Sequence, residues 1–546
     1  SLRDNTTASF NIAVGVGAMA ANTTGTRNLA IGNGAYDASD TENDNIAIGY
    51  NAMTTNTAGG TQNIAVGNYA LDALTSGEEN VVVGYQAGTA LTSGERNTAV
   101  GTDSLVAATT GSNNTAVGRN AGGGNGDDNT AIGYGALIAN AASDNVAVGS
   151  NAAAANTTGA GNVAIGHSAL VTNTTGASNV AVGKKSLELN TTGSNNTALG
   201  YAALESNTTA SYNTAIGKGA LDANTVGASN TALGADALSA DTKGSRNVAI
   251  GASALEVQNF TSATNSYNTA VGFNSGAAVT TGTRNTIMGG LAGDAITTGQ
   301  RNELVGYFAG SGITTGEYNT AMGYEALSLT TTGVRNVAIG TQALYANVDG
   351  DNSVAIGFSA LTSQDPASNV DMYNTAVGHQ AGKAVTTGIQ HTLIGGLAGD
   401  AITTANNVSA FGFSSLTANT TGDENNAFGT YSLAANTTGT RNSAFGTVCL
   451  QTNTTASYNT GIGWGALRAN TTGANNTGLG YNALYANTTG PGNTAVGYLA
   501  LDANTTGEYN TAIGQACMGV NTTGDANVAV GSGALDANTT ADNNTA

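Results

Sequence analysis

The stretch NTAVGYLALDANTTGEYNTAIG, residues 493–514, contains one complete unit of a repeat and the start of the next. NTAVG begins at Asn493, and NTAIG begins at Asn510, seventeen residues later. The same pattern begins at 32 places between Asn11 and Asn544, and 26 of the 31 intervals are 17 residues long. The other intervals are one each of 15, 16 and 18 residues and two of 21. So regular a spacing excludes a string of unrelated globular domains and predicts stacked structural repeats.

We number the unit N-T-A-I-G-x-x-A-L-x-A-N-T-T-G-x-x as positions 1 to 17. Position 4 is always apolar, from Val14 to Val530, and position 5 is Gly in every complete unit. Because side chains alternate along a strand, positions 2 and 4 share one face and the Ala of position 3 lies on the other. A short run of Val and Ile closed by Gly predicts a short strand that ends at a corner.

The remainder of the unit predicts a second strand and a second corner. We expect the Ala-Leu pair at positions 8 and 9 to begin that strand. The NTTG that follows predicts a corner, because Asn and Gly tolerate left-handed backbone conformations at little cost. A helix is excluded, since two Gly corners leave no uninterrupted run of about 10 to 12 residues.

A single coil cannot fold alone. Ordering 17 residues costs roughly 17 to 34 kcal/mol of backbone entropy, whereas its two large apolar side chains contribute about 1.5 to 3 kcal/mol each when buried. Stacking adds strand pairing, apolar contacts between equivalent side chains, and asparagine ladders. The sequence therefore predicts an all-β fold, a parallel β-solenoid (β-roll) of about 32 coils with a 17-residue repeat.

We expect this solenoid to be a single continuous array over residues 1–546. Its two 21-residue intervals place short insertions near 256–267 and 362–373. The sequence starts at position 8 of the unit and stops at position 3, and solenoids generally need polar caps. We therefore expect a segment of a longer fibre protein, or a subunit whose ends meet other subunits.

A covariation inside the repeat supports a close-packed interior. In several coils Gly replaces the Leu of position 9, and an apolar residue replaces the Asn of position 12. The pairs are Gly88 with Leu91, Gly276 with Val279, Gly293 with Ile296, Gly310 with Ile313, Gly382 with Val385 and Gly399 with Ile402. The side-chain volume lost at position 9 is replaced at position 12, as close packing of the interior requires.

Composition excludes several classes of function. The formal net charge is −20, only 9% of residues are charged, and no run of Lys or Arg could follow a phosphate backbone, so we expect no nucleic-acid binding. No apolar stretch approaches the roughly 20 residues that would span a bilayer, so we expect no membrane insertion.

The two cysteines, Cys449 and Cys517, occupy position 8, which is usually Ala, and lie 68 residues, or four repeats, apart. That separation is too great for a disulfide and predicts small buried thiols.

No group of residues has the spacing of a catalytic site. The three histidines, His167, His379 and His391, are far apart in the repeat, and none lies beside a Cys or carboxylate at metal-ligand spacing. The G-x-G pairs are repeat corners, because no helix follows them. We therefore predict no catalytic residues, no metal site and no cofactor, and a protein that is not an enzyme.

Position 6, immediately after the corner Gly, is the candidate surface-binding site because it is aromatic in many coils. The clearest examples are Trp464, Tyr481 and Tyr498 in three successive coils, and Tyr307 with Tyr324. Such a strip could bind sugar faces or another fibre. The alternative is a corner ladder that stiffens the solenoid or packs against a sister chain.

Two further alternatives concern Asn and Thr. The NTT and NTA triplets match glycosylation acceptors, but we favour asparagine ladders. Rows of Thr along a flat β face would be consistent with ice binding. The adjacent threonines of NTTG weaken this alternative, because two neighbouring residues of a strand cannot both point outward.

NSVAIG at 352–357, with NVAIG and NTAIG elsewhere, resembles the head repeats of trimeric autotransporter adhesins. Similar NTAIG and NTTG repeats occur in phage tail-fibre-like proteins. The resemblance implies a left-handed parallel β-roll, three chains to a fibre, and a role in attachment outside the cell.

These observations predict a structural and adhesive extracellular fibre at the cell surface or on a virion appendage. One chain buries little apolar surface, which predicts a homo-oligomer or an end-to-end filament; the resemblance to the adhesin heads favours a trimer. The expected partner is a host-surface or glycan receptor. The alternative is a ligand-binding solenoid that recognises carbohydrate or ice through a repeated face.

Overall fold

Each coil of the repeat contributes one three-residue strand, formed by positions 2 to 4. The computed structural model describes residues 1–546 and consists of strands and turns without a helix. Two units are distinguished, Ser1–Asn268 and Thr269–Ala546. Each is a parallel β-solenoid built from 17-residue coils, so the predicted fold class is confirmed; the continuity of the array from one unit to the next stays a prediction.

The strands of the two units are named here in chain order. The first unit contains β1 Ile12–Val14, β2 Leu29–Ile31, β3 Ile46–Ile48, β4 Ile64–Val66, β5 Val81–Val83, β6 Thr98–Val100, β7 Thr115–Val117, β8 Thr130–Ile132, β9 Val146–Val148, β10 Val163–Ile165, β11 Val180–Val182, β12 Thr197–Leu199, β13 Thr214–Ile216, β14 Thr231–Leu233, β15 Gly244–Ser245, β16 Val248–Ile250 and β17 Thr264–Asn265. The second contains β18 Thr269–Val271, β19 Thr286–Met288, β20 Glu303–Val305, β21 Thr320–Met322, β22 Val337–Ile339, β23 Gly350–Asp351, β24 Val354–Ile356, β25 Val370–Asp371, β26 Thr375–Val377, β27 Thr392–Ile394, β28 Ser409–Phe411, β29 Asn426–Phe428, β30 Ser443–Phe445, β31 Thr460–Ile462, β32 Thr477–Leu479, β33 Thr494–Val496, β34 Thr511–Ile513 and β35 Val528–Val530.

Strands of successive coils pair in parallel with equivalent positions opposite each other. In β10 and β11, for example, Ala164 lies opposite Ala181, and Ile165 lies opposite Val182. Side chains at one position therefore form a straight row from coil to coil, which we call a file. The exposed faces of each solenoid are built from such files.

The strand faces are oriented opposite to the expectation that position 4 supplies a large buried side chain. Ala164 at position 3 is fully buried, whereas Ile165 at position 4 is 38% exposed. Leu170 at position 9 is fully buried, as predicted. The interior already holds the Leu and two asparagines of each coil, so only the methyl group of Ala fits beside them. The larger Ile and Val side chains point outward.

The predicted second strand is wrong, because positions 6 to 11 form turns. The left-handed residues do not lie in NTTG but at positions 7, 9 and 17, such as Ser168, Leu170 and Ser178, with φ of 54–57°. Each of these three N–H groups donates to a carbonyl of an adjacent coil at 3.0 Å. Those bonds offset a left-handed cost of about 1–2 kcal/mol per residue.

Two asparagine ladders run through the interior, which confirms the ladder interpretation. At position 1, the Asn179 backbone N–H and Nδ2 both donate to Asn162 Oδ1, at 2.9 and 3.2 Å. At position 12, Asn190 Nδ2 donates to Asn173 Oδ1 at 2.8 Å and to Gly193 O at 3.0 Å. These side chains are fully or almost fully buried. The folded coil therefore does not present these amides as glycosylation acceptors.

The covariation between positions 9 and 12 is confirmed. A Cβ at Gly293 would lie 2.9 Å from Ile296 Cδ1 and 2.8 Å from Leu304 Cδ1. A third partner, missed from the sequence, takes part: position 3 is enlarged in four of these coils, as Val82, Ile287, Leu304 and Leu393. In these four coils, the space that the position-9 Leu fills elsewhere is filled by larger side chains at positions 3 and 12.

Each 21-residue coil inserts its extra residues after position 12, where Gln replaces Asn. In the second unit, Gln364 Nε2 donates to Asn347 Oδ1 at 3.0 Å, and Gln364 Oε1 accepts from Asn374 Nδ2 at 2.9 Å. The longer Gln side chain therefore connects the position-12 ladder to the position-1 ladder at the coil with the enlarged corner. The inserted corner adds the short parallel pair of β23 and β25, and in the first unit β15 pairs with β17.

The two cysteines are free and buried, as predicted. Burial raises the pKa of the Cys449 thiol to about 12. It also raises the pKa of Cys517. Both groups are therefore neutral, unreactive core side chains near pH 7.

Candidate binding surfaces

The predicted aromatic strip is present as a stack of rings on the position-6 file. Trp464 and Tyr481 have ring centroids 5.1 Å apart with an interplanar angle of 13°, and Tyr481 and Tyr498 have 5.4 Å and 15°. The three side chains are 43–51% exposed. Tyr307 and Tyr324 stack in the same way at 6.1 Å and 15°.

This stacking limits what the strip can bind. Sugar rings pack against the open face of an aromatic ring, but both faces of Tyr481 are covered by Trp464 and Tyr498. The gap between neighbouring rings is about one strand spacing, too narrow to admit a pyranose ring. The strip therefore offers ring edges and hydroxyl groups to a partner. At Tyr481, this geometry favours a corner ladder that stiffens the solenoid or packs against a sister chain over a site at which sugar rings stack.

The position-4 file forms a second exposed surface, which is apolar. Its largest members, Phe411, Phe428 and Phe445, stack with centroids 4.5 and 4.8 Å apart and interplanar angles of 10°. Phe445 is 40% exposed, and twelve other members are 38–45% exposed: Ile31, Val100, Ile132, Ile165, Leu199, Leu233, Met288, Met322, Ile394, Ile462, Leu479 and Ile513. We call the position-4 side chains of each unit the apolar file.

Covering the apolar file would stabilise an assembly appreciably. Burying the exposed two-fifths of such a side chain contributes roughly 0.5–1 kcal/mol per coil. Eight of the sixteen coils with a three-residue strand in the second unit carry an exposed position-4 side chain, and covering those eight would contribute roughly 4–8 kcal/mol. This is comparable to the roughly 4–15 kcal/mol of lost freedom that an association must offset.

The threonine files do not form a regular two-file surface. At position 13, Thr174 Oγ1 donates to Thr191 O of the next coil at 3.0 Å, so this hydroxyl is used within the stack. The neighbouring Thr175 at position 14 is exposed. Position 2 also carries outward Thr in some coils, such as Thr197, Thr214 and Thr231, but Val occupies it in others, such as Val163 and Val180. The outward threonines therefore form no continuous flat surface, which weakens the ice-binding alternative.

Exposed ion pairs and Arg–Tyr contacts occupy the position-17 file. Arg441 donates from Nε to Glu424 at 2.9 Å and from Nη1 to Tyr458 Oη at 2.7 Å. Glu424, followed by Tyr458, raises the pKa of Arg441, and Arg441 lowers the pKa of Glu424. Such exposed pairs contribute little to stability. The chain contains no group of three or more His, Cys, Asp or Glu side chains arranged to hold a metal ion.

His391 is the one buried histidine and replaces the ladder asparagine of position 1. Its backbone N–H donates to Asn374 Oδ1 at 2.9 Å, and its Nδ1 accepts from Val408 N at 3.4 Å. Nε2 is buried without a hydrogen-bond partner. Burial lowers the pKa of His391 from 6.5 to about 4.

His391→Asn is expected to remove an acid-sensitive weak point. The unfolded ring binds its proton near pH 6.5 and the folded ring only near pH 4. Stability is therefore complete above pH 6.5 and falls as the pH is lowered towards 4, by roughly 2–3 kcal/mol. Hydrogen exchange of coils 374–424, corrected for intrinsic rates, would accelerate between pH 7 and 4.5 in the wild type and stay flat in His391→Asn. Equal acceleration in both proteins would contradict this assignment.

The outward direction of the apolar file is the feature that sequence reasoning missed. Alternation along a strand separates two faces but does not say which is inside. The available signal was the near-invariance of Ala at position 3, because a position restricted to one methyl group marks a narrow interior.

No helix of the structure is long and apolar enough to cross a bilayer. No model of a known protein family matches the chain, and no curated protein matches it in sequence.

Proposed function

We propose that this chain is a structural and adhesive element of an extracellular fibre, at a cell surface or on a virion appendage, and that it has no catalytic activity. In this proposal, copies of the chain associate side by side through the apolar file, as a trimer or another closed homo-oligomer. The observation that carries the proposal is the outward apolar file, which recurs in coil after coil.

Three further features support the proposal. The internal asparagines form hydrogen bonds between neighbouring coils, so the interior holds the stack together. The stacked rings of Trp464, Tyr481 and Tyr498 reinforce one corner. The NSVAIG stretch at 352–357 resembles the repeats of trimeric adhesin heads, which act in attachment outside the cell.

Charging the apolar file should weaken assembly. Phe428→Asp would place a carboxylate between the stacked rings of Phe411 and Phe445, where a sister chain would desolvate it. We expect the association measured by sedimentation equilibrium to weaken at least tenfold. Thr438→Asp, at the exposed position 14 of the same coil, adds the same charge off the file and should leave association unchanged.

Electron micrographs of the wild-type protein should show assemblies of several chains side by side. A wild-type protein that sediments as a monomer at tens of micromolar would contradict the fibre proposal. Equal weakening by both substitutions would contradict the role of the apolar file.

A further inference from the structure

The position-6 file of the first unit differs from the stacked strip of the second because it mixes cations with tyrosines. In the coils formed by residues 114–229, this file includes six exposed side chains: Arg119, Tyr134, His167, Lys184, Tyr201 and Lys218. No Asp or Glu occupies position 6 in any coil, although the chain carries 35 acidic residues. We call these six residues the cationic file.

The cations of this file are not neutralised by the protein. Lys184, Lys218 and Arg119 form no ion pair, and their side chains donate no hydrogen bond within the chain. The neighbouring Lys185 behaves differently, since its Nζ lies 3.0 Å from both Glu188 and Glu205. Two adjacent lysines of one coil thus have opposite roles: Lys185 holds the nearby carboxylates, and Lys184 is left for solvent or a partner.

The tyrosines of this file place hydroxyl groups beside the amines. Tyr201 lies between Lys184 and Lys218 along the file and is 50% exposed. Like Tyr481, it has a neighbour one coil away on each side, so it offers a ring edge and a hydroxyl group to a partner. That hydroxyl group can form hydrogen bonds with sugar hydroxyl groups while the flanking amines meet an anionic substituent.

We propose that the cationic file binds an acidic polysaccharide, a polymer of sugars that bear carboxylate groups. This inference deepens the adhesive part of the proposed function and rests on it. Lys184 and Lys218 are two coils apart, about 10 Å at the usual strand spacing. An extended polysaccharide lying along the file would meet a cation, a tyrosine hydroxyl group and a second cation in succession.

A nucleic acid fits this surface less well. Duplex DNA carries one negative charge per about 1.7 Å of its axis, and the chain itself has a net charge of −20. Three separated cations, Arg119, Lys184 and Lys218, cannot offset that repulsion. An acidic polysaccharide has at most about one charge per sugar and also carries hydroxyl groups, so it matches both the cations and the tyrosine hydroxyl groups of the file.

The test measures binding of the full chain to polygalacturonate at low salt, with neutral dextran and a single-stranded oligonucleotide as comparison probes. Wild type is expected to bind polygalacturonate, to lose that binding as salt is raised, and to bind dextran weakly. Lys184→Ala with Lys218→Ala should lower the affinity at least tenfold and flatten the salt dependence. Both substitutions are compatible with the fold, since Ala235 and Ala252 occupy the same position in other coils.

Two matched controls separate the file from general effects. Lys383→Ala removes an exposed lysine outside position 6 and should leave binding unchanged. Tyr201→Ala should weaken binding severalfold, whereas Tyr481→Ala, which has no lysine or arginine beside it on the position-6 file, should not. Equal losses in the file variants and their controls, equal binding to dextran, or tighter binding to the oligonucleotide would each overturn the inference. A monomer that binds polygalacturonate would remove the fibre proposal and leave this inference standing.

Discussion

Gly200→Ala is expected to break the solenoid locally and to cost more than about 3 kcal/mol of local stability. Gly200 occupies position 5 with φ of 141°, a conformation that side-chain-bearing residues rarely adopt. An added Cβ would lie 2.4 Å from the carbonyl oxygen of Gly217 in the next coil. That oxygen is backbone, so it cannot move aside without displacing the strand that follows it. Hydrogen exchange should become fast in coils 196–229.

Gly161→Asn is the matched control for this substitution. Gly161 also has a positive φ, of 65°, but it occupies position 17, where Asn113 and Asn195 have φ of 59°. An added Cβ would approach no atom closer than 3.9 Å. We expect a change within about 0.5 kcal/mol. If Gly200→Ala were equally harmless, the corner glycines would not be required for close approach between coils.

Asn190→Ala is expected to lower local stability by roughly 2–4 kcal/mol. The substitution removes the donor to Asn173 Oδ1 at 2.8 Å and the acceptor of Asn207 Nδ2, also at 2.8 Å. Both partners lie in the dry interior, where an unmade hydrogen bond retains its full desolvation cost. Hydrogen exchange is again the suitable measurement, because a long repeat array does not unfold in one step.

Thr192→Ala, at the exposed position 14 of the same coil, should change local stability by less than about 0.5 kcal/mol. A loss confined to Asn190→Ala would assign the effect to the ladder. Similar losses in both variants would instead indicate that any substitution in this corner disturbs stacking, and that the ladder has no special part in it.

Periodicity was sufficient to predict the strand Val163–Ile165, the corner at Gly166 and the ladder through Asn173, because each depends on equivalent residues meeting in successive coils. The turn around Leu170 could not be predicted in the same way. Leu is a poor candidate for left-handed backbone by local propensity. Contacts with neighbouring coils, which local sequence does not reveal, determine its conformation.

The candidate surfaces show the same division. Stacking of Trp464, Tyr481 and Tyr498 follows directly from their equal spacing. The difference between Lys184 and Lys185 does not, because it depends on which side of a turn each side chain leaves and on the reach of Glu188 and Glu205. The repeat register predicts the file on which a residue lies, whereas the three-dimensional packing determines whether its side chain is paired within the protein or free to bind a partner.

The asparagine ladders have a direction. In the uninterrupted parts of the position-12 ladder, Nδ2 donates to the Oδ1 of the preceding coil, as Asn173 does to Asn156 and Asn190 does to Asn173. A coil already folded therefore displays acceptors towards the coil that comes next in the chain. Since the ribosome releases the polypeptide from the amino end, every newly emerged segment meets a finished template of complementary polarity. Assembly during translation can thus advance one coil at a time, without waiting for distant parts of the chain.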